Sequence, residues 1–282
     1  MDVWLIAVPS HAGDDRHPSS EGPRRLVEEA APQLARRGHR VVVTSVDRGR
    51  AFRDTTSSSA DVNRQVARLV AEAITSGRFP LVLAGSCVTS HAVLAGFDHS
   101  RCGVVWIDAH ADFNTPDTSV SGFFPGMSMA VLAGHCFAPY WATIGHSTPV
   151  AEEKVVLFGT RDLSPEAERQ RLQDSGIQVV EWRGGRPQRG IVEVLDRLSE
   201  RVRSVYLHID LDGFAPEVAP GVVDEPVPGG LSTEDGERIL RETVSRFRVK
   251  AATLATLNPA RDRGDKTLRL ALRLIEVLVD CV

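Results

Sequence analysis

Two short stretches concentrate the side chains able to do chemistry. Asp108, His110 and Asp112 stand at every second position, and Asp210 and Asp212 repeat that spacing far downstream. Alternate side chains of an extended segment project to one side, so each stretch offers its donors in a common direction if the extended geometry persists. Four carboxylates gathered in one crevice repel one another and raise each other's pKa. A divalent cation removes that conflict. Four carboxylates with one imidazole suit an oxygen-preferring ion tolerant of octahedral geometry, such as Mn²⁺, better than a tetrahedral sulfur site. Carboxylates shared between two such ions would hold them about 3.5–4 Å apart with a hydroxide between. Acidic residues after strands also serve as helix caps and turn formers. Either stretch alone reads that way equally well, but both together, each ending an apolar run, favour metal.

The elements that must position these groups alternate along the whole chain. Short apolar, β-branched runs at Val3–Val8, Arg40–Val46, Pro80–Ala84, Gly103–Ile107, Lys154–Phe158, Gln178–Glu181, Val202–Ile209 and Val249–Leu257 predict strands. Helical spacing separates many of them. A helix is predicted from Gly22-Pro23 to about Arg37, closed by Gly38, and others near Asp61–Ile74, Ser164–Asp174, Gly190–Arg203, Thr233–Arg246 and Asp265–Cys281. Sustained strand–helix alternation implies a mainly parallel sheet with helices on both faces, a three-layer α/β fold. No linker, repeat or low-complexity tract marks a second domain, so residues 1–282 are expected to form one. Ligands of such folds sit beyond the carboxyl ends of the strands. Three predicted strand ends deliver Gly85-Ser86-Cys87, Asp108 to Asp112, and Asp210 to Asp212.

Composition narrows the class. The 282 residues are 42% apolar and 25% charged, which excludes a disordered chain. Thirty-three basic against 37 acidic residues give a net charge of -4, with no basic stripe for a phosphate backbone, so no nucleic-acid partner is expected. Four cysteines without a C-x-x-C pair fit a reducing compartment. The first residues read as a strand rather than a signal peptide, and no apolar run has membrane-spanning length. A cytoplasmic location without membrane attachment is the expectation.

With these motifs in hand, the chain resembles the ureohydrolase family of arginases, agmatinases and formiminoglutamases. The resemblance rests on Trp106-Ile107-Asp108-Ala109-His110-Ala111-Asp112-Phe113-Asn114, on His208 to Pro216 with Pro226 to Ser232 downstream, and on Leu257 to Asp262. It covers nearly the whole chain, beginning at Val8-Pro9, Gly13 and Gly22-Pro23. It implies an arginase-like domain with a dimanganese cluster and hydrolysis of a guanidino or related C–N bond. By the family's pattern Asp108 and Asp210 bridge both ions, His110 and Asp212 bind one, and Asp112 binds the other. Asp112 would also protonate the departing amine after hydroxide attacks the guanidino carbon. His110 is carried over with it among the catalytic residues. The resemblance further implies a small amino-acid substrate and leaves room for a homo-oligomer.

Departures from that pattern carry information. The family's metal-binding histidine of a Gly-Gly-Asp-His-Ser turn is Cys87 here. Cys87 is expected to ligate through its thiolate, a softer donor that weakens one manganese position; the alternative is a small buried hydrophobe. A loop histidine that relays protons in the family is Pro125, which cannot transfer one. The carboxylate that pairs with a substrate guanidinium is Thr256, and a neutral hydroxyl cannot form that bidentate ion pair. Asn114, Ser119 and Ser121 match positions that hold an α-carboxylate, and Asp162 matches an α-amino position. The next family acid is Ser164, so ammonium recognition is expected to be weakened or to use Glu166.

Together these features resemble the branch that hydrolyses Nω-hydroxy-L-arginine to hydroxyurea and L-ornithine, as in D-cycloserine biosynthesis. An N-hydroxyguanidine is less basic than a guanidinium and suits Thr256. L-Arginine, a formimino or other guanidino acid, and a non-catalytic ligand-binding homologue remain alternatives. His91 and His99 read as surface or capping residues, His208 as a hydrogen-bond donor behind the metal ligands, and Arg183 to Arg189 as an exposed loop.

Overall fold

Runs of apolar residues with no polar alternation need cover on both faces, which a parallel sheet between helices provides. A computed structural model of the chain describes residues 1–47, 54–223 and 226–282. Its elements in order are β1 (Asp2–Val8), α1 (Gly22–Arg36), β2 (Arg40–Ser45), α2 (Thr55–Thr75), β3 (Phe79–Ala84), α3 (Ser90–Ala95), β4 (Cys102–Ile107), α4 (Ser128–Leu132), α5 (Ala138–Ala142), β5 (Val155–Phe158), α6 (Glu166–Gln173), β6 (Gln178–Val180), β7 (Trp182–Arg183), β8 (Arg186–Pro187), α7 (Ile191–Ser199), β9 (Ser204–Asp210), α8 (Thr233–Arg246), β10 (Arg248–Ala255) and α9 (Lys266–Cys281). Eight strands form one parallel sheet in the order β2-β1-β3-β10-β9-β4-β5-β6. The fold is a three-layer α/β arrangement with a parallel central sheet.

Period-two alternation splits the core in two. Leu5, Leu81, Val105 and Leu207 pack on one face against α1, α7, α8 and α9. Trp4, Ile6, Val82 and Trp106 pack on the other against α2, α3 and α4. Helix starts follow their local sequence. Asp54 caps α2 by accepting from the Ser57 amide at 2.7 Å, and Ser232 with Asp235 form a capping box at α8.

Every strand and long helix expected from the pattern is present, with α2 beginning earlier, at Thr55 rather than Asp61, while α4 and α5 were not foreseen. The stretch Arg183 to Arg189, expected as a loop, begins as the β7–β8 hairpin, turned by Gly184 and Gly185 at positive φ.

The sheet order matters most for function. β3, β10, β9 and β4 are consecutive, although the chain visits them far apart in sequence. Ala84 pairs with Ala255, and Ala255 with Asp210, so these strands end at one level. At about 4.8 Å between strands, their carboxyl ends fall within reach of one small ligand.

Candidate metal centre

Each of the four central strands releases a donor at its carboxyl end. Asp108 follows β4 and is buried. Its Oδ2 accepts from Trp106 Nε1 at 2.9 Å, and its Oδ1 from the His110 amide at 2.7 Å. Asp210 closes β9; its Oδ1 accepts from the Asp212 amide at 2.8 Å, which folds the following turn back over the strand end. Gly213 lets that turn lie against Asp108, since a Cβ there would sit 3.0 Å from the Asp108 amide nitrogen. Asp212 Oδ1 accepts from the Ala109 amide at 3.0 Å, tying the two acidic stretches together. Cys87 opens a short 3₁₀ turn after β3 and reaches across β10, its Sγ 2.8 Å from Asp210 Oδ2. Thr256, just past β10, hydrogen-bonds Asp210 Oδ1.

Two of these residues hold unfavourable backbone. Asp112 has φ 49° and Thr256 has φ 74°. For a β-branched residue the second is a pronounced departure, and such strain concentrates where function fixes side-chain direction. Asp112 is anchored through its carbonyl, which accepts from the Met129 and Ala130 amides at 2.9 and 3.1 Å. Its buried Oδ2 has no hydrogen-bond partner.

Electrostatics show what this packing costs. Burial, then the neighbouring charges of Asp212 and Asp108, push the Asp210 carboxyl well above the carboxylate range. Burial and Asp108 do the same to Asp112, and burial with Asp212 raises Asp108 to about 6. Burial would also raise Asp212, but His110 outweighs it and holds that carboxyl down. His110 Nδ1 lies 3.1 Å from Asp212 Oδ2 and 3.3 Å from Asp108 Oδ1. Burial alone would lower its pKa, yet the two carboxylates hold it well up. Burial, then Asp210, raises the Cys87 thiol strongly.

A cation between these groups would reverse the upward shifts of Asp108, Asp112, Asp210, His110 and Cys87 and reinforce the ionised state of Asp212. The donors fit two. Cys87, Asp108 and Asp112 bring ligand atoms within 4.8 Å of one another, and Asp108, His110 and Asp212 do the same. Asp108 is common to both sets, and the unpartnered Asp112 oxygen is free for a ligand bond.

All the expected site residues line one cavity of about 290 Å³: Cys87, the five acid and histidine donors, Asn114, Ser119, Ser121, Asp162 and Thr256. Asp162 Oδ2 is 3.9 Å from His110 Nε2. Asn114 donates to the Ser164 carbonyl at 3.1 Å, and Ser119 and Ser121 stand on the loop over the mouth. Pro125 lines the same wall, so no proton carrier stands at that position. Arg161 supports the floor from behind, its guanidinium donating to the carbonyls of Gly159, Asp212, Gly213 and Phe214, among others.

The arrangement corrects several expectations. Glu166 points away and pairs with Arg169 at the surface. Two residues on, Glu168 lines the cavity instead, accepting from the Phe113 amide at 2.9 Å, with burial raising its carboxyl to about 7. His91 and His99 are buried, each bonded to backbone carbonyls, so neither is a surface residue. His11 lines the cavity and was missed; it follows β1, whose carboxyl end borders β3, so the strand-end rule would have found it.

Comparison with known proteins agrees with this geometry. The family model described as "Arginase family" matches residues 1–280. The chain belongs to the arginase family. An arginase of Bacillus caldovelox is 31% identical over 290 residues, covering 97% of this chain and 96% of that protein. An arginase of Bacillus subtilis strain 168 is 35% identical over 77% of this chain and 74% of its own length. The crystal structure of the Bacillus subtilis arginase superposes with a TM-score of 0.87 at 28% identity, covering 99% of this chain and 98% of that one. As an arginase-family member the protein is a metal-dependent hydrolase of guanidino C–N bonds, from a family that uses a binuclear metal centre. Among the described residues, no helix is long and apolar enough to cross a membrane.

Proposed function

We propose that the protein is an amidinohydrolase whose substrate is a small amino acid bearing a weakly basic guanidino group. Nω-Hydroxy-L-arginine is taken in preference to L-arginine, giving hydroxyurea and L-ornithine, with two Mn²⁺ as cofactor. Release of hydroxyurea fits an antibiotic biosynthesis of the D-cycloserine kind. The observation that carries the substrate assignment is Thr256. The side chain nearest Asp210 at the cavity floor is a neutral hydroxyl already engaged with that carboxylate, and it offers a cationic guanidinium no charge to pair with. A bidentate carboxylate would add about 1.5–3 kcal/mol for a charged guanidinium, and a neutral hydroxyguanidine forgoes little without it.

Bound divalent ions supply Lewis acidity and a water that loses its proton near neutral pH. The chain's own residues do the rest. Cys87, Asp108, His110, Asp112, Asp210 and Asp212 hold the ions. Asp112, buried and with one oxygen unengaged, holds the proton that the departing ornithine nitrogen takes up. Asn114, Ser119 and Ser121 receive the α-carboxylate at the mouth, while Asp162 and Glu168 receive the α-ammonium. Val120, 90% exposed, and Phe123 beside His11 leave the mouth open for an amino acid to enter.

The test is product analysis on manganese-loaded protein given L-arginine and Nω-hydroxy-L-arginine in parallel, with Asp112→Ala as control. Hydroxyurea release exceeding urea release, both lost in the variant, supports the assignment. Loaded protein that releases neither refutes this substrate class, and formamide or a shorter amino acid among products would mark a formimino or other guanidino acid.

A further inference from the structure

Behind Cys87 and Asp210, which line the cavity, stands a buried donor that the arginase-like ligand set does not use. His208 lies on β9 two residues before Asp210, on the same face of the strand, and is fully buried. Its Nε2 is 3.4 Å from Cys87 Sγ. Its Nδ1 is 3.0 Å from the Tyr206 hydroxyl, which in turn donates its only proton to Thr253 Oγ1 at 2.8 Å. The Tyr206 oxygen therefore accepts from His208, so the ring hydrogen sits on Nδ1 and the Nε2 lone pair faces the sulfur. The Cys87 hydrogen is directed to Asp210 Oδ2, so no hydrogen fills the space between nitrogen and sulfur. Trp106 fixes the imidazole plane, stacked on it at 3.6 Å with 16° between rings. A metal-ligating histidine shows this arrangement: one nitrogen presented, the other oriented by a hydrogen-bond acceptor.

Cys87, His208 and Asp210 place their ligand atoms within 4.8 Å of one another, all three buried. We propose that the inner cation position is a thiolate–imidazole–carboxylate site selective for a borderline divalent ion of the zinc type, which leaves manganese to the outer set of Asp108, His110 and Asp212. This deepens the two-cation reading above and rests on it. The general order of divalent affinities favours Zn²⁺ over Mn²⁺ at both positions, and sulfur softness adds to that preference only at the inner one, so zinc fills the inner position first. Cys87 thus converts a manganese position into a different one, with His208 as the added ligand. The centre of this chain is heterobinuclear.

The test is metal competition on the full chain. Ion-free protein is given one equivalent of zinc per chain with manganese in excess, and bound metals are counted by mass spectrometry for wild type, Cys87→Ser and His208→Gln. Wild type is expected to take one zinc and one manganese per chain; His208→Gln weakens zinc binding by about 10–100-fold or more, with manganese retained. Cobalt in place of zinc gives a thiolate-to-metal charge-transfer band that Cys87→Ser abolishes and His208→Gln shifts. Two manganese ions per wild-type chain without zinc preference, or zinc binding unchanged in His208→Gln, overturns the proposal.

Should His208→Gln not fold, X-ray absorption at the zinc edge of wild type decides. Sulfur at about 2.3 Å with imidazole nitrogen at about 2.0 Å supports the site, and oxygen-dominated scattering overturns it. Hydrolysis is measured on the same samples. Turnover without sulfur ligation sinks only this proposal, whereas sulfur ligation without turnover of either guanidino substrate sinks the functional reading and leaves the metal site standing.

Discussion

Removing the cations should make stability fall as pH rises, a sign opposite to that of most salt-bridged carboxylates. Burial and Asp212 raise Asp108 from its ordinary 3.8 to about 6. A raised carboxyl favours the fold while it stays protonated. As pH climbs past 3.8 the unfolded chain ionises first, and the folded chain loses stability until about pH 6. Two pH units at about 1.36 kcal/mol each give about 3 kcal/mol from Asp108 alone. Asp112 and Asp210 shift in the same direction, and Asp212, held down by His110, offsets part of their contribution. At about 2 °C per kcal/mol for a chain of this length, the expected drop is about 6 °C in melting temperature.

The assay is thermal unfolding in chelator at about pH 3.5 and about pH 7, which brackets the window between the two Asp108 pKa values, with loaded protein and Asp108→Asn as comparators. Loaded protein should show little of the drop, because cations bound to the fold and not to the unfolded chain stabilise it by about 4 kcal/mol at a thousandfold excess over Kd. Asp108→Asn should flatten the pH slope of the stripped protein. Stripped wild type that gains stability with rising pH, or an Asp108→Asn variant with an unchanged slope, would refute this reasoning.

Other substitutions probe separate parts of the site. Asp210→Ala removes a ligand whose oxygens meet Cys87, Thr256 and Asp212, and should cut turnover by at least about 10²-fold with loss of bound metal, read by metal analysis and product release. Thr256→Glu should raise the arginine-to-hydroxyarginine ratio of kcat/KM by roughly 10-fold or more, since an added carboxylate favours only the charged substrate; an unchanged ratio would remove Thr256 from the specificity argument. Glu168→Gln should raise KM several-fold with kcat nearly kept, by the loss of one charge from ammonium recognition. With Glu168 raised to about 7 by burial, wild-type KM should fall as pH passes upward through 7, and that dependence should vanish in the variant. Cys87→His should increase manganese occupancy and arginine turnover, and unchanged values would leave Cys87 with a packing role alone.

The strand ends carried most of what the sequence revealed. Uninterrupted apolar runs required a parallel sheet, so the meeting point of donors past its strand ends followed from fold class, whereas the period-two argument did not hold: β4 ends at Ile107, Asp112 has φ 49° and Asp212 stands in a 3₁₀ turn. What stayed hidden depends on spatial order and helix phase. Cys87 reaches Asp210 because β10, the last strand in sequence, is inserted between β3 and β9, and local spacing contains nothing of that insertion. His208 was noticed for its phase with Asp210, yet its approach to Cys87 needs the same insertion. Glu166 and Glu168 differ only in where α6 begins: with Glu168 and Leu172 buried one turn apart, the helix turns Glu166 outward. His91 and His99 were misjudged because a neutral buried imidazole bonded to carbonyls looks, in sequence, like any exposed histidine.

The most direct check is anomalous X-ray diffraction from crystals grown with manganese and zinc, with data at both absorption edges. Two resolved peaks are expected within the cavity, both in contact with Asp108 or Asp210, one reached by His110 and Asp212 and the other by Cys87 and Asp112. A cavity without anomalous density, its carboxylates paired instead with side chains of the protein, would contradict the central claim that these residues are gathered to hold ions.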